Sequence, residues 1–103
     1  VGTEAVITSP SGGAVVNGLT NVVGTAVFDP SQVQFYKLEI TRADLPDQWT
    51  TFGSTHSQPV SGSTLEQLQA DALAPGDYLI RLVLVGVDGN FAAPPYQVRV
   101  TVP

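Results

Sequence analysis

The segment that most constrains the fold runs from Leu73 to Val85, where a Pro-Gly turn leads into a long apolar strand. Tyr78 stands directly after that turn, and an Asp-Gly-Asn turn at 88–90 follows the strand. A tyrosine at the start of a late strand is the mark of a tyrosine corner, which is typical of Greek-key β-sandwiches. The spacing predicts that the Tyr78 hydroxyl bonds backward to the backbone near Leu73–Pro75. The segment indicates an architecture and no activity.

Length and composition restrict the class of protein. A chain of 103 residues is expected to form one domain, 1–103. It contains no methionine, so we expect either a processed product or a piece excised from a larger protein, and we favour excision because the sequence ends at Val100–Pro103, where a last strand would end. It has no cysteine, which excludes disulfides and thiolate metal sites. Nine acidic and four scattered basic residues give a formal net charge of −5. Nucleic-acid binding needs a basic stripe, so no nucleic-acid partner is expected.

Two signals that direct a chain to or through a membrane are missing from the sequence. No apolar run approaches the ~20 residues of a spanning helix, so no membrane insertion is expected. The first residues do not have the basic-then-apolar pattern of a signal peptide. If the parent protein is exported, we expect its signal outside this sequence.

Alternation of apolar and polar residues predicts about seven short strands, at the spacing of an antiparallel β-sandwich. The predicted strands are Ala5–Thr8, continued after a bend by Ala14–Asn17, then Asn21–Phe28, Gln34–Arg42, Trp49–Gly53, a short edge segment at Gln58–Val60, Tyr78–Val85 and Tyr96–Val102. Residues 63–66 have the form of a capping box, and Leu65, Leu68 and Ala72 recur near helical spacing, which indicates a helix. The alternative, which we favour, is a strand over Thr64–Gln69 followed by a helical turn at Ala70–Leu73.

The inward faces of these strands predict the core. Its expected members are Ile7, Val22, Ala26, Phe28, Tyr36, Leu38, Ile40, Trp49, Leu65, Leu73, Tyr78, Ile80, Leu82, Leu84, Val98 and Val100.

Short motifs that cover nearly the whole chain match, in order, those of a known class of domain. The first two are Ile7–Pro10 and Val23–Ala26. The later ones are Gly13, Val16, Gly18, Tyr36–Ile40, Trp49, Pro59–Val60, Gly62, Leu65, Leu73, Gly76–Tyr78, Arg81–Val83 and Gly89–Asn90. In this order they resemble the immunoglobulin-like and fibronectin-III-like accessory domains of multidomain exported bacterial proteins. Some of these modules are appended to penicillin-binding proteins and others to secreted hydrolases. The resemblance implies a non-catalytic module of an extracellular or cell-envelope protein, without a cofactor. Such modules often have an aspartate where this chain has Gly86, which puts a cation site in that turn in doubt.

No residue cluster has the composition of a catalytic site, so no catalytic or cofactor-binding residue is predicted. His56 is the only histidine, it lies between Ser54 and Ser57, and no Gly-x-Ser-x-Gly elbow occurs. We interpret His56 as a packing or hydrogen-bonding residue at a strand edge rather than as the base of a triad.

Several turn residues carry oxygen atoms of the kind that calcium prefers. They are Asp29, Asp71, Asp77, Asp88 and Asn90. Their dipeptides are also ordinary turn formers, and none matches an EF-hand loop. We predict no metal site, with calcium at these turns as the alternative.

Trp49 and Phe52 lie three positions apart, so a regular strand turns them to opposite faces. We expect Trp49 to fill the space between the sheets. If Trp49 is exposed instead, then Phe35, Trp49 and Phe91 are the candidate contact residues for a sugar ring or a partner protein.

Four charged residues are predicted on the outward face of neighbouring strands: Lys37, Glu39, Arg81 and Arg99. We interpret them as a set of cross-strand charge pairs, with a polar ligand-binding face as the alternative. Arg81 also interrupts an apolar, β-prone window and so guards against aggregation. Leu79, Val83 and Val85 leave the outer side of the same strand apolar, which predicts a contact surface for a neighbouring domain.

Together these observations predict an all-β fold, an antiparallel Greek-key β-sandwich of the immunoglobulin/fibronectin-III kind. The predicted function is architectural: the module spaces, orients or docks neighbouring domains of the same chain in an exported bacterial protein. The alternative is a weak binding module for cell-wall polysaccharide or another protein. An enzyme is not expected.

Overall fold

Two sheets enclose the core of the computed structural model, which describes residues 3–45 and 47–103. The strands in these residues are β1 (Glu4–Ser9), β2 (Ala14–Val15), β3 (Leu19–Val27), β4 (Val33–Arg42), β5 (Thr50–His56), β6 (Val60–Gln69), β7 (Gly76–Gly86) and β8 (Tyr96–Val102), with a 3₁₀ turn at Ala70–Ala72. One sheet has the order β1-β3-β6 and the other has the order β2-β8-β7-β4-β5. The prediction of an all-β sandwich is confirmed.

The first predicted strand divides between the two sheets. β1 pairs with β3, whereas β2, which the pattern predicts as its continuation, pairs in parallel with β8 in the other sheet. Pro10 and Gly13 lie between them, and Gly13 has a φ of 83°. Proline has no N–H for the ladder, and glycine alone reaches this backbone region without strain. The chain therefore leaves the first sheet here, which adds an eighth strand within the described residues.

Alternating residues of both sheets form one core. Every residue predicted for the core is buried there except Trp49 and Leu73. Leu73 is half-buried and packs against the core, whereas Trp49 lies outside it. Burying one large apolar side chain contributes about 1.5–3 kcal/mol, so this cluster is the main source of stability. It also contains five residues that the pattern did not predict: Val16, Val33, Leu68, Ala70 and Val102.

The segment from Val60 to Gln69 is a strand that pairs with β3, and the 3₁₀ turn follows it directly. The favoured prediction of a strand and a helical turn is therefore confirmed, and the helix suggested by residues 63–66 is wrong. The predicted edge segment at Gln58–Val60 contributes only its last residue to β6, and Pro59 lies just before the strand.

Tyr78 holds the start of β7 in place. Its side chain is buried, and its hydroxyl donates to the carbonyl oxygen of Ala74 at 2.8 Å, within the stretch that the sequence predicts. The guanidinium group of Arg42 donates to the same hydroxyl at 3.3 Å and lies over the tyrosine ring. The polar end of this buried tyrosine therefore has two hydrogen-bond partners.

The described chain begins at one end of the strands and finishes at the other. Thr3 borders a cleft with Val33 and Gly86, which pair where β4 begins and β7 ends. Val102 lies opposite Gly76, where β7 begins. The two ends are thus separated by the length of a strand, in a molecule whose longest dimension is 41 Å.

Candidate functional site

The outer face of the five-stranded sheet carries most of the predicted contact and charge residues. Phe35, Lys37 and Glu39 alternate with core residues along β4, and Arg81 does so along β7. The register of these strands places Glu39 directly opposite Arg81. Because outward side chains of neighbouring strands lie close together, the pairing assembles a single cluster on this face.

Glu39 joins two cations. Its Oε1 accepts a hydrogen bond from Nε of Arg81 at 2.7 Å, and its Oε2 lies 3.3 Å from Nζ of Lys37. Glu39 is only 8% exposed, so the two cations compensate a carboxylate that has lost most of its water. The predicted cross-strand charge pairing is confirmed for Glu39 and Arg81, whereas Lys37 pairs with Glu39 along β4 itself.

Arg99 is not part of this cluster. Its Nη2 donates to Oδ2 of Asp77 at 2.7 Å, and the Thr101 hydroxyl donates to Oδ1 of the same carboxylate at 2.8 Å. The hydrogen bonds from Arg99 and then from Thr101 lower the pKa of Asp77. Arg99 therefore forms a separate pair along β7 and β8, and its assignment to the Glu39 set is wrong.

Trp49 lies on the outer face, so the prediction that it is buried between the sheets is wrong. β5 begins one residue later, at Thr50, and Phe52 is the aromatic residue that packs against the core. The indole ring instead lies against the guanidinium group of Arg81, whose carbon is 4.1 Å from the ring centroid. An indole with a cation on its face is stable at a surface that is partly wet.

Arg81 also approaches Phe91, with 5.3 Å between the guanidinium carbon and the ring centroid. Phe91 lies in the connection between β7 and β8 and is 52% exposed. Phe35 is half-buried opposite Val85, and in the described residues no ring pair or cation–π contact joins it to Trp49 or Phe91. The structure therefore brings two of the three predicted contact residues to Arg81 and leaves Phe35 apart.

Sequence reasoning missed Arg81 as the centre of the aromatic cluster. The available signal was its position, because it is the only charged residue in the otherwise apolar stretch 79–87. A cation in such a stretch needs a local partner, and the sequence does not reveal that Trp49 and Phe91 supply its apolar surroundings.

The outer valines of β7 are not an open surface. Val83 and Val85 are 0% and 8% exposed, so the apolar contact surface predicted for a neighbouring domain is wrong at these two positions. The chain itself lies alongside Val85: Phe91 forms a bridge with Val85, and the Ala92 amide donates to the Leu84 carbonyl oxygen. Alternation predicts which face a residue points to, but it does not predict which loop covers that face.

His56 lies at the edge where β5 of one sheet meets β6 of the other. Its Nε2 is 2.9 Å from Oε2 of Glu66, and its ring stacks on Tyr36 with 4.9 Å between centroids. The Ser54 amide donates to the same Glu66 oxygen at 3.0 Å. Burial raises the pKa of Glu66, but the hydrogen bonds from Ser54, His56 and Gln67 outweigh it and hold the pKa below its ordinary value. The predicted packing and hydrogen-bonding role of His56 is confirmed.

The turn carboxylates bond within their own turns. Asp29 accepts hydrogen bonds from the amide and the hydroxyl of Ser31, and Asp88 accepts one from the amide of Asn90. These bonds lower the pKa of both carboxyls. Within residues 3–45 and 47–103, no three His, Cys, Asp or Glu side chains are grouped so that they could hold a metal ion. The oxygens of Asp29 and Asp88 act here as turn formers.

No protein-family model matches the sequence, and a search of the curated proteins finds no significant match. In the part of the chain that the structure describes, no helix is long and apolar enough to cross a membrane. Fold and site together define an all-β sandwich with one cluster of aromatic and charged side chains on the outer face of its larger sheet.

Proposed function

We propose that this chain is a non-catalytic immunoglobulin/fibronectin-III-like module that spaces, orients or docks neighbouring domains of an exported bacterial protein. The observation that carries the proposal is the position of Thr3 and Val102 at opposite ends of the strands. A module whose chain enters at one end and leaves at the other adds its own length, up to 41 Å, between the domains on either side of it.

The strand order supports the assignment to this class. Strands β1, β3 and β6 correspond to A, B and E of an immunoglobulin-type sandwich, and β8, β7, β4 and β5 correspond to G, F, C and C′. After β3 the chain changes sheet between β3 and β4, between β5 and β6 and between β6 and β7, and this alternation supports a Greek-key arrangement. The hydrogen bond of Tyr78 at the start of β7 occupies the place of a tyrosine corner.

Two further observations support a stiff spacer at the cell surface. The ladder between β4 and β7 runs from Val33 to Arg42, and both strands contribute side chains to the single core. A closely packed core resists bending, because its side chains interdigitate without large voids. The resemblance of Ile7–Pro10 and Val23–Ala26 to accessory domains supports an exported bacterial parent protein.

Small-angle X-ray scattering on two copies joined end to end tests the spacer proposal. If each copy adds its length, the maximum dimension of the tandem is roughly twice the 41 Å of one copy. A tandem with a Gly-Ser linker of about ten residues between the copies is the control for flexibility, because such linkers behave as random coils. A tandem that folds back to nearly the dimension of one copy contradicts the proposal.

The second candidate function is weak binding of cell-wall glycan or of a protein partner. The exposure of Phe91 favours this function. About half of the Phe91 surface is open to solvent, and Phe91 and Trp49 both contact the guanidinium group of Arg81. Trp49 is the only tryptophan, so its fluorescence reports directly on this face. Titration with cell-wall oligosaccharides is expected to shift the emission of the protein and not that of the Phe91→Ala variant. No shift at millimolar ligand excludes a useful glycan contact.

A further inference from the structure

The side chains joined by contacts to Arg81 or Glu39 form one group, the Arg81 cluster: Lys37, Glu39, Trp49, Arg81 and Phe91. We propose that the Arg81 cluster binds a carboxylated saccharide, in which the acid group pairs with Arg81 and the sugar ring lies against Phe91 and Trp49. This inference rests on the second candidate function and specifies the chemistry of its ligand. It is independent of the spacer proposal. Three observations carry it: the charge of the cluster, the free donors of Arg81 and the position of the aromatic rings.

The charged residues of the Arg81 cluster carry a net positive charge, although the protein as a whole has a negative net charge. The chain has four Lys and Arg residues against nine acidic ones. Arg42 and Arg99 each pair with an aspartate of their own, whereas Lys37 and Arg81 share Glu39. Two cations on one carboxylate leave a local charge of about +1 on a face of low water content. A ligand that enters here gains from carrying a negative charge.

Most of the N–H donors of Arg81 have no acceptor among the described residues. A guanidinium group has five N–H donors, and among the described residues only Nε of Arg81 has an acceptor, which is Glu39. No buried side-chain nitrogen or oxygen atom in the described residues lacks a hydrogen-bond partner, so the Nη atoms of Arg81 reach solvent. Two parallel N–H groups are the geometry that binds a carboxylate through both of its oxygens.

The aromatic rings supply the second half of the site. Trp49 and Phe91 both contact the guanidinium group, so any group held by its free donors is placed beside the two rings. Phe91 is 52% exposed and therefore still offers apolar surface. Aromatic residues combine a large apolar surface with little loss of conformational freedom, which suits a flat, weak contact with a sugar ring. The required ligand therefore joins a carboxylate to a ring, as a uronic acid does.

Binding of three matched probes tests the inference: methyl β-glucuronide, methyl β-glucoside and acetate, followed by Trp49 fluorescence and by amide shifts in NMR spectra. The glucuronide is expected to bind about tenfold or more tightly than either other probe, because a charge-assisted bidentate contact is added to ring stacking. Its affinity should fall with added salt, since part of it comes from charge pairing near the surface.

Three variants locate the site. Arg81→Lys keeps the charge but loses the planar fork, and Phe91→Ala removes an exposed ring outside the core, so both are expected to abolish the preference for the glucuronide. Arg99→Lys is the matched control, because Arg99 lies on the adjacent strand with its own carboxylate, and it is expected to bind like the unaltered protein.

Each of the other outcomes overturns the inference in a distinct way. Equal binding of both glycosides leaves the second candidate function standing and removes the role of the acid group. Equal binding of acetate and the glucuronide removes the role of the ring. Absence of binding by any probe contradicts the inference alone, because the titration with cell-wall oligosaccharides tests the second candidate function and the scattering experiment tests the spacer.

Discussion

At the scale of single residues, polar side chains in this sandwich act by tying backbone segments together. Tyr78 links β7 to the turn before it through Ala74, and Glu66 links β6 to β5 through Ser54 and His56. Both side chains are largely removed from water, so each has to find its hydrogen bonds inside the protein. Each therefore makes a contribution to stability that a single substitution can measure.

Tyr78→Phe is expected to lower the free energy of unfolding by about 1–3 kcal/mol, because it removes both hydrogen bonds of the hydroxyl and each contributes about 0.5–1.5 kcal/mol. Urea denaturation measures it, and the slope against urea should stay unchanged because the exposed surface is nearly the same. Tyr96→Phe is the matched control: Tyr96 is 37% exposed, and its hydroxyl has no hydrogen-bond partner among the described residues. Equal stability of the Tyr78→Phe variant and the unaltered protein would show that these bonds do not support the corner.

Glu66 is expected to make stability depend on acidity. Its pKa in the folded protein lies below the ordinary value of 4.5, so its stabilising effect is complete above that value and is lost as the pH falls through the folded pKa. The difference in unfolding free energy between the protein and Glu66→Gln should therefore be largest near neutral pH and shrink in acid. A difference that is the same at neutral and acidic pH contradicts this role.

At the scale of elements, the sequence predicts the strands well where alternation is regular. β4 and β8 lie within a few residues of their predicted bounds, because apolar and polar residues alternate along Tyr36–Arg42 and Tyr96–Val102. β7 does so because it is a nearly continuous apolar run between two turns. β6 looked helical for a physical reason. Its register against β3 shifts by one residue at Leu65, so Leu65 and Leu68 both reach the core although they lie three positions apart. A β-bulge of this kind imitates the spacing of a helix.

The errors at the candidate site come from loops rather than from strands. The pattern of β5 predicts that Trp49 and Phe52 face opposite ways, but which of them is buried depends on the register of β5 against β4, which places Phe52 opposite the core residue Leu38. The cover over Val85 depends on the path of the 87–95 connection. Loop paths are set by contacts distant in sequence, so alternation alone does not contain them.

Substitution of Gly53 tests the packing between β5 and β6. It has a φ of 73°, and a Cβ atom at this position would meet the side chain of Glu66. Gly53→Ala is therefore expected to strain the backbone and to displace Glu66 from Ser54 and His56. Gly62→Ala is the matched control, because Gly62 has a φ of 61° but has no atom within 4 Å of an added Cβ.

The backbone strain should cost each glycine variant about 1–3 kcal/mol, so only the excess for Gly53→Ala reports on Glu66. In the background of Glu66→Gln that excess should shrink, since the two changes disturb the same contact. Equal losses for the two glycine variants in urea denaturation would contradict a close packing of Glu66 on Gly53.

At the scale of the whole molecule, the proposed function requires a stiff sandwich that the chain enters at one end and leaves at the other. The core and the ladder between β4 and β7 run along the strand direction between those ends. Arg81 lies midway along β7, on the side of this axis, whereas Phe91 borders the same cleft as Thr3. The proposed saccharide contact therefore lies nearer the end where the described chain begins than the end at Val102.

The most direct test of the spacer is the distance between its two ends in solution. Because the chain has no cysteine, spin labels attached to Thr3→Cys and Pro103→Cys mark the ends uniquely. Double electron–electron resonance should give one narrow distribution between about 30 Å, the span of a ten-residue strand at ~3.3 Å per residue, and the 41 Å of the longest dimension. A broad distance distribution, or one centred well below that range, would contradict a stiff spacer with its two ends at opposite ends of the strands.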